Sequence, residues 1–172
     1  MNHDQVQVRA LAPGDLQDLA AFACSAGTPW EELVQQQLRG PLPRRYLAAP
    51  PRFDGRMLIA RGPDGRLLVV GAHHIEPTLV PVVGYTEVIA VAQHARGTLI
   101  GLPDTEQVSL GHFMLLTIFQ QMRLLGRHRR TFARIDRRNT ASLALCDRAG
   151  LSDEHPDPHH PGLVQRWGEL PQ

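Results

Sequence analysis

One helical segment, residues 111–125, constrains the fold of this chain more than any other part of the sequence. Apolar residues nearly surround it, and strand patterns stand on either side of it, at residues 85–93 and 131–135. The residues that step along it at helical spacing are Phe113, Leu116, Phe119, Gln120 and Leu124. A helix between two strands of one sheet is a crossover connection, so this segment predicts a sheet flanked by helices. A second helix is predicted at residues 140–148, ending at Gly150.

The rest of the chain adds strands and helices around this unit. Strands are predicted at residues 6–11, 57–60, 67–74 and 164–170, and helices at residues 16–22 and 28–38. Residues 39–54 are rich in Pro and Arg, and we interpret them as a loop or a short helix around residues 45–48. The resulting order, β-α-α-β-β-β-α-β-α-β, indicates one α/β or α+β domain over residues 1–172.

Composition restricts the partners and the compartment. The formal net charge is +1 over 172 residues, which provides no overall basic field for a nucleic-acid backbone. The two cysteines, Cys24 and Cys146, lack a C-x-x-C spacing and are interpreted as reduced thiols. No run approaches the roughly 18 apolar residues of a membrane span, and residues 1–15 do not resemble a signal peptide. We therefore expect a cytoplasmic protein that binds neither nucleic acid nor membrane.

The strand pattern at residues 85–93 is predicted to have two distinct faces, because successive strand residues point to opposite sides. One face is predicted to carry Tyr85, Glu87, Ile89 and Val91. The other is predicted to carry Thr86, Val88, Ala90 and Ala92. Glu87 is the carboxylate of the first face.

The most specific motif in the chain is Asn139-Thr-Ala-Ser-Leu-Ala-Leu-Cys-Asp-Arg-Ala-Gly-Leu151. It resembles the motif that follows the fifth strand in the GNAT superfamily of acyl-CoA N-acyltransferases. The residues that fall in register with that motif are Asn139, Ser142, Leu145, Gly150 and Leu151. Cys146 stands at the position where the family has a tyrosine.

A second segment resembles the cofactor motif of the same family, in which a strand ending in Val leads through Arg-Gly-x-Gly-x-Gly into a helix. Residues 91–101 have this spacing, with Leu99 at the position of the middle glycine. The motif residues in place are Arg96, Gly97 and Gly101. The helix begins only at Gly111, so about ten residues look inserted and the phosphate-binding loop is predicted to be lengthened. An alternative register takes residues 107–111 as the loop.

The resemblance implies a mixed, mostly antiparallel central sheet of six to seven strands flanked by helices. It also implies acetyl-CoA as co-substrate, an amine as acceptor and no metal. A bulge in the fourth strand would free backbone N–H groups for the pantetheine arm and the thioester carbonyl, and a helix N-terminus would bind the diphosphate. The residues implied for acetyl-CoA binding are Ile89, Ala90, Val91, Ala92, Arg96, Gly97, Gly101, Ser109, Leu110, Gly111, His112 and Asn139.

A general base and a general acid are implied as well. Glu87 is the candidate base, with Tyr85 as the alternative one residue pair earlier, and either could relay a proton through water. Cys146 replaces the tyrosine that usually protonates the leaving thiolate, so it is a candidate acid, although a buried cysteine on a helix also serves simply to pack. A covalent acyl-cysteine ranks lower, because no adjacent base is evident in the sequence.

Other polar groups have less specific assignments. At most one of His73 and His74 can face the acceptor cleft. Residues 153–160 contain three histidines and two aspartates without metal-binding spacing, and we interpret them as a polar loop. Residues 38–54 are the expected acceptor wall, and the arginines within 127–130 form an expected solvated turn. Candidates for the 3′-phosphate of CoA are Arg137, Arg138 and Arg148.

These features lead to one functional hypothesis and two alternatives. The first is an N-acetyltransferase that modifies a primary amine of a small molecule or a protein, as a monomer or a homodimer. The degenerate phosphate loop and the missing tyrosine motivate a catalytically silent module that binds CoA weakly or serves as a protein-interaction domain. A toxin that acetylates charged tRNA would share the fold and the size, but the near-neutral charge argues against it.

Overall fold

Nine strands and five α-helices make up the part of the chain that the computed structural model describes, residues 1–49, 54–76, 79, 81–103, 107–125 and 129–171. The strands are β1 (Gln7–Ala10), β2 (Gly55–Arg61), β3 (Leu67–Glu76), β4 (Val83–Val91), β5 (Leu99–Gly101), β6 (Gln107–Ser109), β7 (Arg130–Asp136), β8 (Asp153–Pro156) and β9 (Leu163–Glu169). The helices are α1 (Leu16–Ala20), α2 (Pro29–Arg39), α3 (Pro41–Leu47), α4 (Leu110–Leu125) and α5 (Thr140–Arg148). None of these helices combines the length and the apolar composition that crossing a membrane requires.

Seven of these strands form one sheet in the order β1-β2-β3-β4-β7-β9-β8. Neighbouring strands run antiparallel except for the central pair β4 and β7, which is parallel and is joined through α4. The predicted fold class, a mixed and mostly antiparallel sheet of six to seven strands flanked by helices, is confirmed. Strand β8 is an addition, because it lies within residues 153–160, which the sequence indicated to be a loop.

The long helix α4 packs against β3 and β4. Gly71 of β3 allows the close approach, since a Cβ there would lie 2.6 Å from Met114 Cγ and 2.9 Å from Ile118 Cδ1. The buried residues of α4 are Leu110, Gly111, Met114, Leu115, Ile118, Phe119 and Met122. The predicted apolar stripe is therefore displaced. Gln120 and Leu124 are exposed, because packing on Gly71 sets the rotation of the helix.

The central strands β4 and β7 pair over only three residues and then separate. The pairs are Gly84–Thr131, Tyr85–Phe132 and Thr86–Ala133. Beyond them, residues 87–91 of β4 have no partner on β7, although residues 134–136 of β7 remain paired with β9. The space between residues 87–91 and residues 134–136 is called the wedge below.

A bulge in β4 lies where the wedge begins. Ala72 of β3 pairs with Val88, but the next residue of β3, His73, pairs with Thr86. Glu87 is therefore an extra residue on β4, opposite no residue of β3. An extra residue of this kind changes which side chains share a face of the sheet.

Beyond the bulge, the odd-numbered residues of β4 face α4. Ile89 pairs with Gly71, and a Cβ on Gly71 would point into α4. Val91 lies beside the same helix, since a Cβ on Gly111 of α4 would lie 3.7 Å from Val91 Cγ2. Ile89 and Val91 therefore share the face of the sheet that α4 covers.

Before the bulge, the odd-numbered residues of β4 point the other way. His73 is two residues beyond Gly71 and so faces α4, which leaves His74 on the opposite face. Tyr85 pairs with His74 with its ring 5.0 Å away, and Glu87 also approaches His74. The prediction of one continuous face along this strand is therefore wrong, because the extra residue shifts the alternation by one step.

The predicted insertion between β4 and α4 takes the form of a β-hairpin. Its pairs are Leu99–Ser109, Ile100–Val108 and Gly101–Gln107, and residues 104–106 lie outside the described part of the chain. The outer side of β5 is also paired, since Gly101 N–H donates to the Met1 carbonyl over 3.0 Å. Helix α4 then begins at Leu110, one residue before the predicted start.

Candidate active site

Glu87, the extra residue of the bulge, is the centre of a polar cluster at the point where the wedge begins. Tyr46 of α3 donates a hydrogen bond to Glu87 Oε2 over 2.8 Å, and Arg45 donates to the same oxygen. His74 Nδ1 lies 3.6 Å from that oxygen and 3.4 Å from the Tyr46 hydroxyl. Side chains from α3, β3 and β4 therefore meet at one carboxylate oxygen.

This cluster keeps Glu87 ionised. Burial alone would raise the pKa of the carboxyl, since only 18% of its side chain is exposed. The hydrogen bonds with His74, Arg45 and Tyr46 outweigh that effect and lower the pKa of Glu87 to about 2. At neutral pH Glu87 is thus a fixed anion, better suited to bind a cation than to accept a proton.

The two oxygens of Glu87 have different surroundings. The contacts from Arg45, Tyr46 and His74 are all made to Oε2. Among the residues that the structure describes, none donates a hydrogen bond to Oε1. Because a carboxylate oxygen is an acceptor with two lone pairs, Oε1 is available to an N–H or ammonium group of a ligand.

Tyr85 belongs to an aromatic stack that runs across three strands beside the cluster. Its ring lies 4.8 Å from that of Phe132 on β7, which in turn lies 4.5 Å from that of Trp167 on β9. Arg134 lies over the Tyr85 ring at 5.5 Å and forms a 2.9 Å ion pair with Asp157. Burial raises the pKa of Tyr85 to about 12, so at neutral pH its hydroxyl is a proton donor rather than a base.

Along residues 87–91 of β4, the backbone groups point alternately towards β3 and into the wedge. Ala92 N–H donates to the Leu68 carbonyl on β3 over 2.8 Å. Backbone groups alternate in direction along a strand, so Ala90 also directs its N–H towards β3. The N–H and C=O groups of Ile89 and Val91 face the wedge instead, where β7 offers them no partner.

The start of α4 lies at the far end of the wedge, beside Val91. A Cβ on Gly111 would lie 3.5 Å from Leu145 of α5, so this glycine is at the contact between the two helices. Ser109 Oγ accepts a hydrogen bond from His112 N–H over 3.3 Å and so caps the first turn. Because α4 has 16 residues, its N-terminal end carries a partial positive charge that attracts anions.

The guanidinium of Arg148 adds to the positive potential at this end of α4. The pKa of His112 is lowered by its burial and by the positive charge of Arg148, which therefore lies nearby. The predicted residues 109–112 and Arg148 are thus brought together beside Val91. Arg138, another predicted phosphate ligand, is instead engaged by an aspartate two residues before it, over 2.7 Å.

The strand half of the predicted cofactor motif is engaged elsewhere. Arg96 donates to Glu31 Oε1 on α2 over 2.7 Å and to a backbone carbonyl of the α1–α2 loop. Gly97 has a φ of 79° in the turn after β4, and Gly101 is paired on both sides within the hairpin. The geometry therefore favours the helix half of the motif, residues 109–112, as the candidate phosphate site.

Asn139 and Cys146 have structural roles in α5. Asn139 Oδ1 accepts a hydrogen bond from Ser142 N–H over 3.1 Å and so caps the helix. At the other end, Leu151 N–H donates to the Cys146 carbonyl around Gly150, whose φ is 81°. Cys146 is only 4% exposed, and burial raises the pKa of its thiol to about 11. This environment favours the packing role and keeps the thiol protonated, which disfavours a covalent acyl-cysteine.

The histidine-rich segment 153–160 contains an ion pair and a turn. Asp157 Oδ1 accepts hydrogen bonds from the backbone N–H groups of His159 and His160, over 3.0 and 2.9 Å. Its other oxygen pairs with Arg134. Within the described ranges, no three His, Cys, Asp or Glu side chains are grouped so as to hold a metal ion.

Arg45 and Tyr46 are site residues that were not predicted from the sequence. Both lie in the expected acceptor wall, residues 38–54, of which residues 50–53 are outside the described part of the chain. Their helix α3 is short and proline-rich, so it has no periodic pattern that would reveal a functional face. Of the expected basic turn, Arg127 is also outside the described residues, as is Gly126, the predicted end of α4.

Comparisons with solved structures identify the fold. No protein-family model matches the chain, and no curated protein matches it in sequence. A solved structure described as a GNAT-family acetyltransferase from Desulfovibrio desulfuricans matches with a TM-score of 0.68 and 21% identity, over 96% of this chain and 98% of that one. A GCN5-related N-acetyltransferase from Kribbella flavida matches with a TM-score of 0.64 and 19% identity, over 98% and 99%. A GNAT-family acetyltransferase from Staphylococcus aureus matches with a TM-score of 0.67 and 9% identity, over 96% and 99%.

At these identities the likeness is one of fold, and it extends over nearly the full length of each chain. The chain is therefore a divergent protein of the GNAT fold.

Proposed function

We propose that this protein is an acyl-CoA-dependent N-acyltransferase that transfers an acetyl group from acetyl-CoA directly to a primary amine. The observation that carries the proposal is the position of Glu87. A permanently charged carboxylate with one open oxygen stands where β4 and β7 separate. A wedge that can hold a thioester therefore begins beside a group that can hold an ammonium ion.

The wedge fits the acyl-bearing arm of acetyl-CoA. Ile89 and Val91 direct unpaired N–H and C=O groups into it, and such N–H groups can bind the pantetheine amides and polarise the thioester carbonyl. The start of α4 fits the diphosphate, because the helix dipole and the guanidinium of Arg148 place positive charge there. In this proposal Ser109, Leu110, Gly111 and His112 bind the phosphates, whereas Asn139 contributes only by capping α5.

The proposed reaction uses Glu87 to bind and orient the amine. The acceptor ammonium binds to Glu87 Oε1 and loses one proton, for which the imidazole of His74, 3.6 Å from Glu87 Oε2, is the proposed acceptor. The resulting amine attacks the thioester carbonyl. The new C–N bond forms as the C–S bond breaks, the nitrogen gives up a second proton, and the thiolate of CoA takes up that proton as it leaves. Glu87 thus acts by holding the cation, and the protonated Tyr85 hydroxyl is a candidate proton donor.

Calorimetry and thiol release test this proposal together. We expect acetyl-CoA to bind at micromolar to low millimolar concentration, and free CoA thiol to appear when a suitable amine is added. Arg148→Met should weaken acetyl-CoA binding by about tenfold, since it removes a phosphate partner. Arg66→Met is the matched control, because Arg66 is exposed in the turn between β2 and β3. Absence of binding at millimolar acetyl-CoA would overturn the proposal.

The alternative function, a catalytically silent module, is favoured by one specific observation. Arg96 is tied to α2, and the backbone of β5 is paired on both sides, so half of the cofactor motif is occupied by the protein itself. A silent module would bind acetyl-CoA weakly or not at all, and would release no thiol with any member of a broad amine panel. Detectable transfer to one amine would exclude it.

A further inference from the structure

We propose that the acceptor is a zwitterion, with its ammonium on Glu87 Oε1 and its carboxylate on Arg45, as in a free α-amino acid. This inference rests on the proposed function, because it names the acceptor class for the same site. It also assigns Arg45 as a specificity-determining residue.

The two charged groups are adjacent at the entrance of the wedge. Arg45 donates through Nη2 to Glu87 Oε2, and the open oxygen Oε1 is bonded to the same carbon as Oε2. A cationic donor and an anionic acceptor therefore stand side by side. The ammonium and carboxylate of an α-amino acid are likewise attached to one carbon, so the spacing of the two pairs is compatible.

Arg45 is arranged to meet a ligand from solvent. Its side chain is 53% exposed, whereas that of Glu87 is 18% exposed. A guanidinium carries five N–H donors, and its hydrogen bond to Glu87 is made through Nη2 alone. The planar fork of arginine binds carboxylates through two parallel hydrogen bonds, which gives both affinity and orientation.

The local charge balance argues against a simple or multiply charged cation as acceptor. Arg45 neutralises Glu87, so an ammonium ion arriving alone must share its anion with the guanidinium. A polyamine would bring further positive charge next to Arg45, and also next to the exposed Arg44 on the same helix. A zwitterion brings no net charge and offers each member of the pair a partner of opposite sign.

The anchoring of α3 keeps this arrangement in place. Tyr46 donates to Glu87 Oε2 and approaches His74, so the residue next to Arg45 is fixed on the sheet. The guanidinium of Arg45 also lies 5.4 Å from the centre of the Tyr46 ring. Arg45 is thus held close to Glu87 while one side of it stays exposed, as a carboxylate-binding group requires.

A matched acceptor series tests the inference. Acetyl-CoA would be supplied with each of the twenty L-amino acids, with the corresponding amino acid amides, and with the amines that lack the carboxylate altogether. Thiol release would be measured for the wild-type protein, Arg45→Met, Arg45→Lys and Arg44→Met. Saturation-transfer NMR with the same compounds would report binding separately from turnover.

The expected result is a preference for at least one amino acid over its amide and its amine, by about tenfold or more in kcat/KM. Arg45→Met should abolish that preference while still acetylating the amides and amines that lack the carboxylate, and Arg45→Lys should restore part of it. Arg44→Met should keep the wild-type preference, since Arg44 is the exposed neighbour without a hydrogen bond to Glu87.

Two kinds of result would overturn the inference. One is equal or better use of the amides and amines by the wild-type protein. The other is a preference for amino acids that survives in Arg45→Met. If acetyl-CoA fails to bind, the proposed function fails instead, and the NMR measurement still decides whether amino acids bind through Arg45. No binding of any amino acid in that measurement would refute the zwitterion site.

Discussion

Asp15 and Glu87 are two shielded carboxylates of this protein that are held by arginines, and each has a pKa of about 2. Asp15 Oδ1 accepts from Arg9 and Arg61, over 2.6 and 2.9 Å, and Oδ2 accepts from Arg9 and from Ala12 N–H, over 2.7 and 2.8 Å. Glu87 instead receives every contact on one oxygen. A low pKa therefore does not by itself distinguish a structural carboxylate from one that can bind a ligand, whereas the occupancy of the two oxygens does.

The difference has a topological cause. Asp15 precedes α1 and connects that helix to the neighbouring strands β1 and β2, through Arg9 and Arg61. It lies in the turn between β1 and α1, where Arg9, Arg61 and the backbone of Ala12 supply donors to both of its oxygens. Glu87 lies on a bulge next to the point where two strands separate, so one side of it has no neighbouring strand.

The largest effect is expected from Asp15→Asn, as a loss of stability. The amide removes the charge that balances Arg9 and Arg61, and breaking a buried ion pair on one side typically costs about 3–5 kcal/mol. Urea unfolding at neutral pH would measure this loss, with acetyl transfer by the folded fraction unchanged. An unaltered free energy of unfolding would show that Asp15 does not stabilise the fold. A loss of activity in fully folded protein would show that Asp15, like Glu87, contributes to the reaction.

The stability contributed by Glu87 is expected to depend on pH. Its pKa falls from 4.5 in the unfolded chain to about 2 in the folded protein, so the unfolded chain takes up the proton first as the pH falls. The contribution is complete above pH 4.5, is lost progressively towards pH 2, and amounts to at most about 3 kcal/mol. The difference in unfolding free energy between wild type and Glu87→Gln should shrink over this range. A difference in unfolding free energy that stays constant from pH 7 to pH 2.5 would contradict the low pKa of Glu87. As a control, the same pH-dependent difference should be seen when Glu87→Gln is made in the Asp15→Asn background.

The catalytic effect of Glu87→Gln is expected to be about a hundredfold decrease in kcat, or about 2.7 kcal/mol in the barrier. The amide keeps the size of the side chain but no longer binds an ammonium ion by charge. Affinity for acetyl-CoA should change by less than about twofold, since the phosphate site is at the far end of the wedge. Glu31→Gln is a suitable control, because Glu31 is another arginine-paired carboxylate, on α2. Equal losses in both variants would show that Glu87 acts only through stability.

The smallest effect is expected from Cys146→Ala. This variant tests whether Cys146, a buried group with a shifted pKa, has a structural role, as Asp15 does, or a role in the reaction, as proposed for Glu87. Cys146 is packed in the core, so the substitution should cost about 1 kcal/mol of stability. Acetyl transfer should stay within about threefold of the wild-type rate, because a thiolate of ordinary pKa leaves without strong acid assistance. A decrease in kcat beyond about thirtyfold would restore Cys146 as the general acid.

Much of the fold could be predicted from local sequence. The alternation of strands and helices, the Asn139 cap and the long crossover helix are all encoded in short stretches of residues. The bulge could not be predicted in this way, because Glu87 continues the alternating pattern and only its mismatch with β3 makes it an extra residue. Register depends on two strands at once, and the pattern of one strand does not contain it.

The candidate site could be predicted only in part, again because some of its contacts are between residues distant in sequence. Glu87, Tyr85 and His112 could be selected from their chemistry and from the motifs, whereas Arg45 and Tyr46 contribute through a contact with a residue some forty positions away. Arg96 shows the opposite case. It matches the motif in sequence, yet its guanidinium is held by Glu31, and that pairing is also long-range.

The three residue pairs between β4 and β7 have a mechanical consequence. They and the ring stack of Tyr85 on Phe132 join an antiparallel β1–β4 half of the sheet to an antiparallel β7–β9 half. Beyond this short seam, residues 87–91 of β4 have no pairs with β7, so a molecule bound in the wedge would lie between the two halves. A ligand bound there would lie where the hydrogen bonds between β4 and β7 are missing. Because it would bind the folded chain and not the unfolded one, it would raise the free energy of unfolding. Under the proposed function, the substrate would thus stabilise the fold while it is bound, in each catalytic cycle.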